Sequence, residues 1–253
     1  MAPPKVNFLV IGAQKAGTTA LDHYLRQHPE IGMADVKEVH YFDNEDAFAR
    51  EPRDHSAYEA HFPGNARLQG EVTPIYLYWK PACERIHRYN PAMKLIAVLR
   101  DPVERAFSQW NMEFNRGDEH RDFPAAVRAE QEQRERDPSA QHRVLSYLGR
   151  GFYAEQIERF LRTFAQHQLL FLKYDDLKAD PEPQLARIFD HIGASPNRIP
   201  SVPVELNQGA YSASLDMETR SELQEFFAED IRKVERLLNW DLSSWMAPGA
   251  QER

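Results

Sequence analysis

Cysteine, basic charge and long apolar runs are all scarce in this chain. Cys83 is the only cysteine among 253 residues, which excludes an intramolecular disulfide framework and a multi-cysteine metal cluster. No apolar run approaches the roughly 20 residues that span a bilayer. Met1 to Lys5 are too few and too polar for a signal peptide. We therefore expect a cytoplasmic protein without stable membrane insertion.

The charge balance limits the classes of partner. The chain has 31 Lys and Arg against 39 Asp and Glu, a formal net charge of −8, so we expect no general affinity for nucleic acid. Any anion site must then be local. The length suits one large domain or two small ones, and we expect a single domain over residues 1–253. Nothing in the sequence indicates the oligomeric state.

Short apolar runs alternate with helical patterns along the chain. The runs are typical of strands buried on both faces of a parallel sheet. The predicted strands are Asn7–Gly12, Arg67–Thr73, Lys94–Arg100 and Gln168–Leu177. The predicted helices are Thr19–His28, Ala82–Tyr89, Pro102 to about Phe114, Phe152–Phe164, Pro183–His191 and Glu218–Leu238. This alternation predicts an α/β fold in three layers, P-loop-like, with a central parallel sheet flanked by helices.

The stretch from Asp118 to His142 is the most polar part of the chain. It predicts a solvated helix or loop, although it could equally cover an active site.

A glycine loop follows the first predicted strand. In "NFLVIGAQKAGTT", Gly12 and Gly17 stand at the spacing of a phosphate-binding loop that opens a helix. The ATP- and GTP-binding version places its lysine directly after the second glycine; here Thr18 stands there and the lysine is Lys15, inside the loop. This predicts a site for a phosphate and an adjacent anionic group. A merely tight turn is the alternative.

Arg100 marks a second candidate anion site, directly after the apolar segment "LIAVL". A carboxylate that could bind magnesium is not found at this position. Arginine grips phosphate with two parallel hydrogen bonds. Asp101 is placed to cap a helix opened by Pro102, and Ser108 lies about two turns further along. The alternative is that Arg100 only pairs with an acidic neighbour.

Together these stretches resemble a known family. "FLVIGAQKAGTT" resembles the 5′-phosphosulfate loop of the sulfotransferases that use 3′-phosphoadenosine 5′-phosphosulfate (PAPS), and "LIAVLRDPVERAFSQW" resembles their 3′-phosphate motif. "KEVHYFD" and "GEVTPIYLY" are similar to segments of the heparan sulfate branch, particularly its 3-O-sulfating and N-sulfotransferase-like members. The resemblance implies PAPS as donor, 3′-phosphoadenosine 5′-phosphate (PAP) as product, and no required metal.

The resemblance also implies residue roles. Lys15 would contact the sulfate and the bridging oxygen, offsetting charge on the departing phosphate. The donor would further be bound by Gln14, Ala16, Gly17, Thr18 and Thr19 around its 5′-phosphate, and by Arg100 and Ser108 around its 3′-phosphate.

Glu38 matches the family's general base, and His40 and Asp43 match residues that assist it. Burial beside Tyr41 and Phe42 would raise the pKa of Glu38. Alternatively Glu38 forms an ion pair with Lys37 or Lys15, and His40 is a structural imidazole or the base itself.

Two departures from the branch concern the acceptor and the donor's lid. Val72 stands where the branch has a lysine near its sugar sulfates, which argues against a polyanionic glycan. The late basic loop that closes over the donor has only Gly209 and Tyr211 as counterparts, within Asn207–Ser214.

The resulting hypothesis is in-line sulfuryl transfer to a hydroxyl, or less readily an amine, of a small-molecule, glycolipid or carrier-bound acceptor. One alternative is a P-loop small-molecule kinase, against which the missing lysine after Gly17 argues. Another is a catalytically silent nucleotide-binding module, against which the retention of both Lys15 and Glu38 argues.

Overall fold

The structure is a computed structural model that describes residues 5–49, 54–62, 64, 66–195 and 213–247. The chain divides into two compact units. The first comprises Met1–Leu99 with Arg159–Gln208, and the second comprises Arg100–Glu158 with Gly209–Arg253. The expectation of a single domain over residues 1–253 stays a prediction.

A five-stranded sheet forms the centre of the first unit. Its strands are β1 (Phe8–Gly12), β2 (Ile31–Met33), β3 (Leu68–Val72), β4 (Lys94–Leu99) and β5 (Leu169–Lys173). They pair in the order β2-β3-β1-β4-β5, and every pair is parallel. All residues of β1 and β3 are buried, as expected of strands covered on both faces.

Nine α-helices lie in the described parts of the chain. They are α1 (Thr18–Arg26), α2 (Ser56–Glu59), α3 (Lys80–Tyr89), α4 (Pro102–Arg116), α5 (Phe123–Arg136), α6 (Tyr153–Thr163), α7 (Tyr174–Ala179), α8 (Pro181–Ile192) and α9 (Met217–Leu238). In the first unit, α1 packs on β2 and β3, whereas α8 packs on β4 and β5. The predicted α/β fold with a central parallel sheet flanked by helices is thus confirmed.

One predicted element is wrong over part of its length. The predicted strand Gln168–Leu177 ends at Lys173, and α7 begins at Tyr174. Asp175 and Asp176 lie in the first turn of α7, where carboxylates stabilise the positive end of the helix dipole. The predicted strand therefore contains a strand followed directly by a helix. Hydrophobicity alone does not show where the strand ends and the helix begins.

The second unit is helical in its described part. It contains α4, α5, α9 and the first residues of α6. Asp101 caps α4 by accepting hydrogen bonds from the backbone N–H groups of Val103 (2.8 Å) and Glu104 (3.3 Å), as predicted. The polar stretch Asp118–His142 contains α5, which buries Phe123 and Val127 and is therefore only partly solvated. None of the described helices is long and apolar enough to cross a bilayer.

Candidate active site

The glycine loop is fixed to the sheet at its start. The backbone N–H of Ala13 donates to the carbonyl of Val98 (2.7 Å), and that of Leu77 donates to the carbonyl of Ile11 (2.8 Å). A Cβ atom at Gly12 would lie 2.7 Å from the Leu77 side chain. Gly12 is therefore required because Leu77 packs against its bare backbone.

The loop ends by turning into α1. Gly17 is the N-cap residue, with φ 78°, a left-handed conformation that glycine adopts without steric cost. It has no side chain to cap the first N–H groups of α1, and these groups with the helix dipole form a natural anion site. Thr18 opens the helix and Thr19 follows. The predicted donor-binding residues from Gln14 to Thr19 are therefore contiguous around one helix start.

The predicted catalytic carboxylate lies in a cluster of charged groups. Glu38 forms an ion pair with Lys37 through Oε1, and its Oε2 lies 3.6 Å from His40 Nε2. The other ring nitrogen of His40, Nδ1, lies 3.0 Å from Oδ2 of Asp43, whose side chain is fully buried. The structure thus brings Glu38, His40 and Asp43 together in one chain of contacts. The alternative that Glu38 pairs with Lys37 is also correct.

The pKa values in this cluster differ from the expectation. Burial raises the pKa of Glu38, but hydrogen bonding from His40 and the charge of Lys37 outweigh it and lower the pKa to about 2. The expectation of a raised pKa is wrong because the positive charges of Lys37 and His40 favour the carboxylate more than burial disfavours it. Hydrogen bonds to Asp43 and Glu38 raise the pKa of His40 to about 9. At neutral pH the pair is therefore a carboxylate and an imidazolium.

A second, fully buried carboxylate supports this segment. Glu71, at the end of β3, accepts hydrogen bonds from the hydroxyls of Tyr58 (2.8 Å), Tyr76 (3.1 Å) and Thr73 (2.6 Å). Its Oε2 also accepts the backbone N–H of Val39 (3.3 Å), the residue between Glu38 and His40.

Tyr76 extends the same support along the chain. Its hydroxyl accepts the backbone N–H of Tyr41 (2.9 Å) and, more weakly, that of Phe42 (3.4 Å). The backbone N–H of Glu38 itself donates to the carbonyl of Val72 (3.0 Å). The segment that carries Glu38 and His40 is thus tied to β3 by buried hydrogen bonds. Sequence reasoning assigned no role to Glu71, although its motif "GEVTP" had been singled out.

Backbone conformation separately distinguishes the predicted catalytic residues. Among the described residues, four other than glycine have positive φ: Lys15 (69°), Glu38 (62°), His40 (56°) and Asn239 (53°). Such conformations cost about 1–3 kcal/mol each and concentrate at functional sites. Three of the four are the predicted catalytic residues, and this observation is independent of any sequence motif.

In the second unit, Arg100 precedes α4 by two residues and Ser108 lies within that helix. Tyr153, which is buried, donates its hydroxyl to the carbonyl of Arg100 (2.9 Å). The guanidinium of Arg100 lies 3.5 Å from Oε2 of Glu104, so Glu104 is an acidic neighbour of Arg100. Ser108 is buried on α4. Gly209 and Tyr211 lie outside the described residues.

Burial raises the pKa of Asp101, the cap of α4, to about 6.

Across the parts of the chain that the structure covers, no group of three or more His, Cys, Asp or Glu is arranged to hold a metal ion.

Comparison with known proteins identifies the family. The profile of the sulfotransferase domain matches residues 5–216. This chain belongs to the sulfotransferase domain family. The predicted resemblance is confirmed, and so is the enzyme class, transfer of a sulfur-containing group, at the level of the family.

Two relatives illustrate the match. The chain is 30% identical over 187 residues to human heparan sulfate glucosamine 3-O-sulfotransferase 3B1, covering 73% of this chain but 45% of that protein. It is also similar to the solved structure of a sulfotransferase from Alicyclobacillus acidocaldarius, with a TM-score of 0.82, 30% identity and coverage of 96% of this chain and 99% of that one. The chain therefore spans less than half of the curated relative.

A third structure shares the fold alone. The crystal structure of mouse sulfotransferase SULT7A1 complexed with PAP matches with a TM-score of 0.50 and 15% identity, covering 92% of this chain and 88% of that one. The fold therefore accommodates this nucleotide in a distant relative.

Proposed function

We propose that this protein transfers a sulfuryl group from PAPS to an acceptor hydroxyl. The observation that carries the proposal is the coincidence of Lys15, Glu38 and His40 with three of the four positive-φ residues other than glycine in the described chain. Strained backbone is retained where function requires it. A module that only binds a nucleotide would not need a carboxylate and an imidazolium on strained backbone.

The residues of the first unit fit a phosphosulfate group. The start of α1 offers backbone N–H groups, Thr18 and Thr19 offer hydroxyls, and Lys15 offers a cation within the same loop. PAPS, when bound, supplies the sulfuryl group and leaves as PAP. Lys15 would stabilise the negative charge that grows on the bridging oxygen as the sulfur–oxygen bond breaks. Arg100 and Ser108 would bind the 3′-phosphate.

Glu38 is the proton acceptor in this proposal. The acceptor hydroxyl forms a bond to sulfur, and its proton passes to the carboxylate of Glu38. His40 cannot accept that proton at neutral pH, because Asp43 and Glu38 raise its pKa to about 9 and keep it protonated. A carboxylate whose pKa is lowered to about 2 is a weak base, so we expect proton transfer late, when bonding to sulfur has made the hydroxyl acidic. His40 and Asp43 would orient Glu38.

The acceptor is proposed to be a small-molecule, glycolipid or carrier-bound hydroxyl. The similar human protein is named for heparan sulfate, a polyanion. Here the position expected to hold a lysine is Val72, which is buried at 1% exposure, and the chain carries a net charge of −8. A polyanionic chain would meet repulsion that a neutral hydroxyl compound would not.

The experiment that tests the proposal compares ligands by thermal shift. PAP should raise the melting temperature without added metal because it binds the folded state. ATP with magnesium should raise it much less. If ATP with magnesium stabilises the protein more than PAP does, the sulfotransferase proposal is wrong and a kinase is favoured. Transfer of radiolabelled sulfate from PAPS to a panel of neutral hydroxyl compounds and to heparan sulfate then separates the acceptor classes.

A further inference from the structure

Glu104 stands between two arginines in the second unit. Arg220, on α9, hydrogen-bonds to Oε1 of Glu104, and Arg100 lies 3.5 Å from Oε2 of the same carboxylate. Both guanidiniums are mostly buried, with side-chain exposures of 18% for Arg220 and 16% for Arg100. The carboxylate is thus shared, and Arg220 makes the direct hydrogen bond while the contact to Arg100 is at the limit of one.

The backbone around Arg100 is fixed, so a change there would involve the side chain. Tyr153 donates to the Arg100 carbonyl (2.9 Å), and Asp101 caps α4 directly after it. What can vary is which acid the guanidinium of Arg100 meets. Glu104 is within reach of that guanidinium, and its carboxylate has the same sign of charge as a phosphate.

A 3′-phosphate must therefore compete with Glu104 for Arg100. A carboxylate and a phosphate both bind the edge of a guanidinium, by accepting hydrogen bonds from its N–H groups. If nothing else held Glu104, its carboxylate would pair with Arg100 and would also repel a phosphate dianion. Arg220 opposes both effects because it neutralises Glu104 and directs one of its oxygens away from Arg100.

We propose that Arg220 is a positioning residue of the 3′-phosphate site, because it holds the Glu104 carboxylate and keeps that carboxylate from closing on Arg100. This inference rests on the proposed function, in which Arg100 binds the 3′-phosphate. Arg220 acts through Glu104 and not by contact with the nucleotide. The role predicts that removing Glu104 makes Arg220 dispensable.

The test measures nucleotide affinity by calorimetry for PAP and for adenosine 5′-monophosphate, which lacks only the 3′-phosphate. Arg220→Gln should weaken PAP binding about tenfold, the size of one close charge pair, and leave the monophosphate within about twofold. Glu104→Gln should bind PAP at least as tightly as the wild type. The double variant should regain the affinity of Glu104→Gln within about threefold. Arg232→Gln, an exposed change on the same helix, is the control and should alter neither affinity.

Three results would overturn the inference. A double variant as weak as Arg220→Gln would mean that Arg220 contacts the phosphate itself. Equal losses for PAP and the monophosphate in Arg220→Gln would mean that Arg220 only supports the fold. Unchanged PAP binding in Arg220→Gln would mean that Arg220 has no role in the 3′-phosphate site. A wild-type protein that binds both nucleotides equally would instead refute the proposed function, since no 3′-phosphate site would then exist.

Discussion

The segment around Glu38 and the start of α4 hold their polar side chains in different ways. Glu38 and His40 lie on backbone with positive φ, tied to β3 through the buried carboxylate of Glu71 and the hydroxyl of Tyr76. Arg100 instead precedes a regular helix that begins with a capping aspartate and a proline. The first arrangement depends on contacts between residues far apart in the chain, and the second on a local motif.

This difference separates two tasks. Binding a 3′-phosphate needs charge and hydrogen-bond donors, which an arginine directly before a regular helix can supply without a positive φ. Proton transfer needs a carboxylate at one exact position, which here is reached at the expense of backbone strain. We therefore expect changes near Glu38 to affect turnover, and changes near Arg100 to affect nucleotide affinity.

The largest expected effect is that of Glu38→Gln. The change keeps the size of the side chain but removes the proton acceptor, so turnover should fall by about 10² to 10⁴. PAP affinity, measured by calorimetry, should change by less than about threefold, because the residue acts in the chemical step. Glu84→Gln, an exposed glutamate on α3, is the matched control and should leave both quantities unchanged. Full turnover in Glu38→Gln would assign the base elsewhere.

Arg100→Ala should have its effect on binding. Loss of a charge-assisted bidentate contact should weaken PAP binding by about 2–4 kcal/mol. Binding of adenosine 5′-monophosphate should hardly change, because that nucleotide has no 3′-phosphate for Arg100 to meet. Calorimetry with both ligands measures the difference. Similar losses for the two would show that Arg100 has a structural role only, and the contrast between the two regions would then be lost.

Glu71→Gln should affect both the stability of the fold and the turnover. In the wild type, three hydroxyls and the backbone N–H of Val39 donate hydrogen bonds to the Glu71 carboxylate. The glutamine amide has an NH₂ group, which cannot accept these hydrogen bonds, so some of these donors lose their partner. The free energy of unfolding should therefore fall by about 1–3 kcal/mol. Turnover should also fall, because the segment carrying Glu38 loses its support. Urea unfolding and steady-state kinetics measure the two effects.

The matched control for Glu71→Gln is Glu130→Gln in the second unit. Glu130 is also buried and accepts the backbone N–H groups of Leu148 (2.7 Å) and Gly149 (2.8 Å). It should lose stability to a similar extent while keeping turnover per folded molecule. If both variants lose turnover equally, Glu71 contributes only general stability.

The smallest expected effect is the pH dependence contributed by His40. Its pKa in the folded chain is raised from 6.5 to about 9, so the stabilisation is fully present below pH 6.5 and is lost as the pH rises through 9. The difference in free energy of unfolding between wild type and His40→Asn should therefore be constant just below pH 6.5 and shrink toward pH 9.

A direct measurement of that pKa is an NMR titration of the His40 ring. Its midpoint should lie well above 6.5 in the wild type and fall in Glu38→Gln, where one of the two partners that raise the pKa loses its charge. A wild-type midpoint near 6.5 would contradict the charged pair and would restore His40 as a candidate base.

The loop from Gly12 to Thr19 and the cap of α4 could both be predicted because their information is local. Two glycines at fixed spacing after a buried strand specify a turn into a helix, and Asp101 followed by Pro102 specifies a helix start. The structure has both features as expected. The end of β5 could not be predicted, since a strand and a following helix can share one apolar run.

The sequence by itself determined four of the five described strands, six of the nine described helices, the glycine loop and the positions of the candidate side chains, because periodicity, capping and loop chemistry act over a few residues. Only the tertiary structure decided the charge states of Glu38 and His40, the support from Glu71 and the sharing of Glu104 between Arg100 and Arg220. These depend on which groups meet after folding, on their burial and on their distances, and electrostatic interactions change steeply with both.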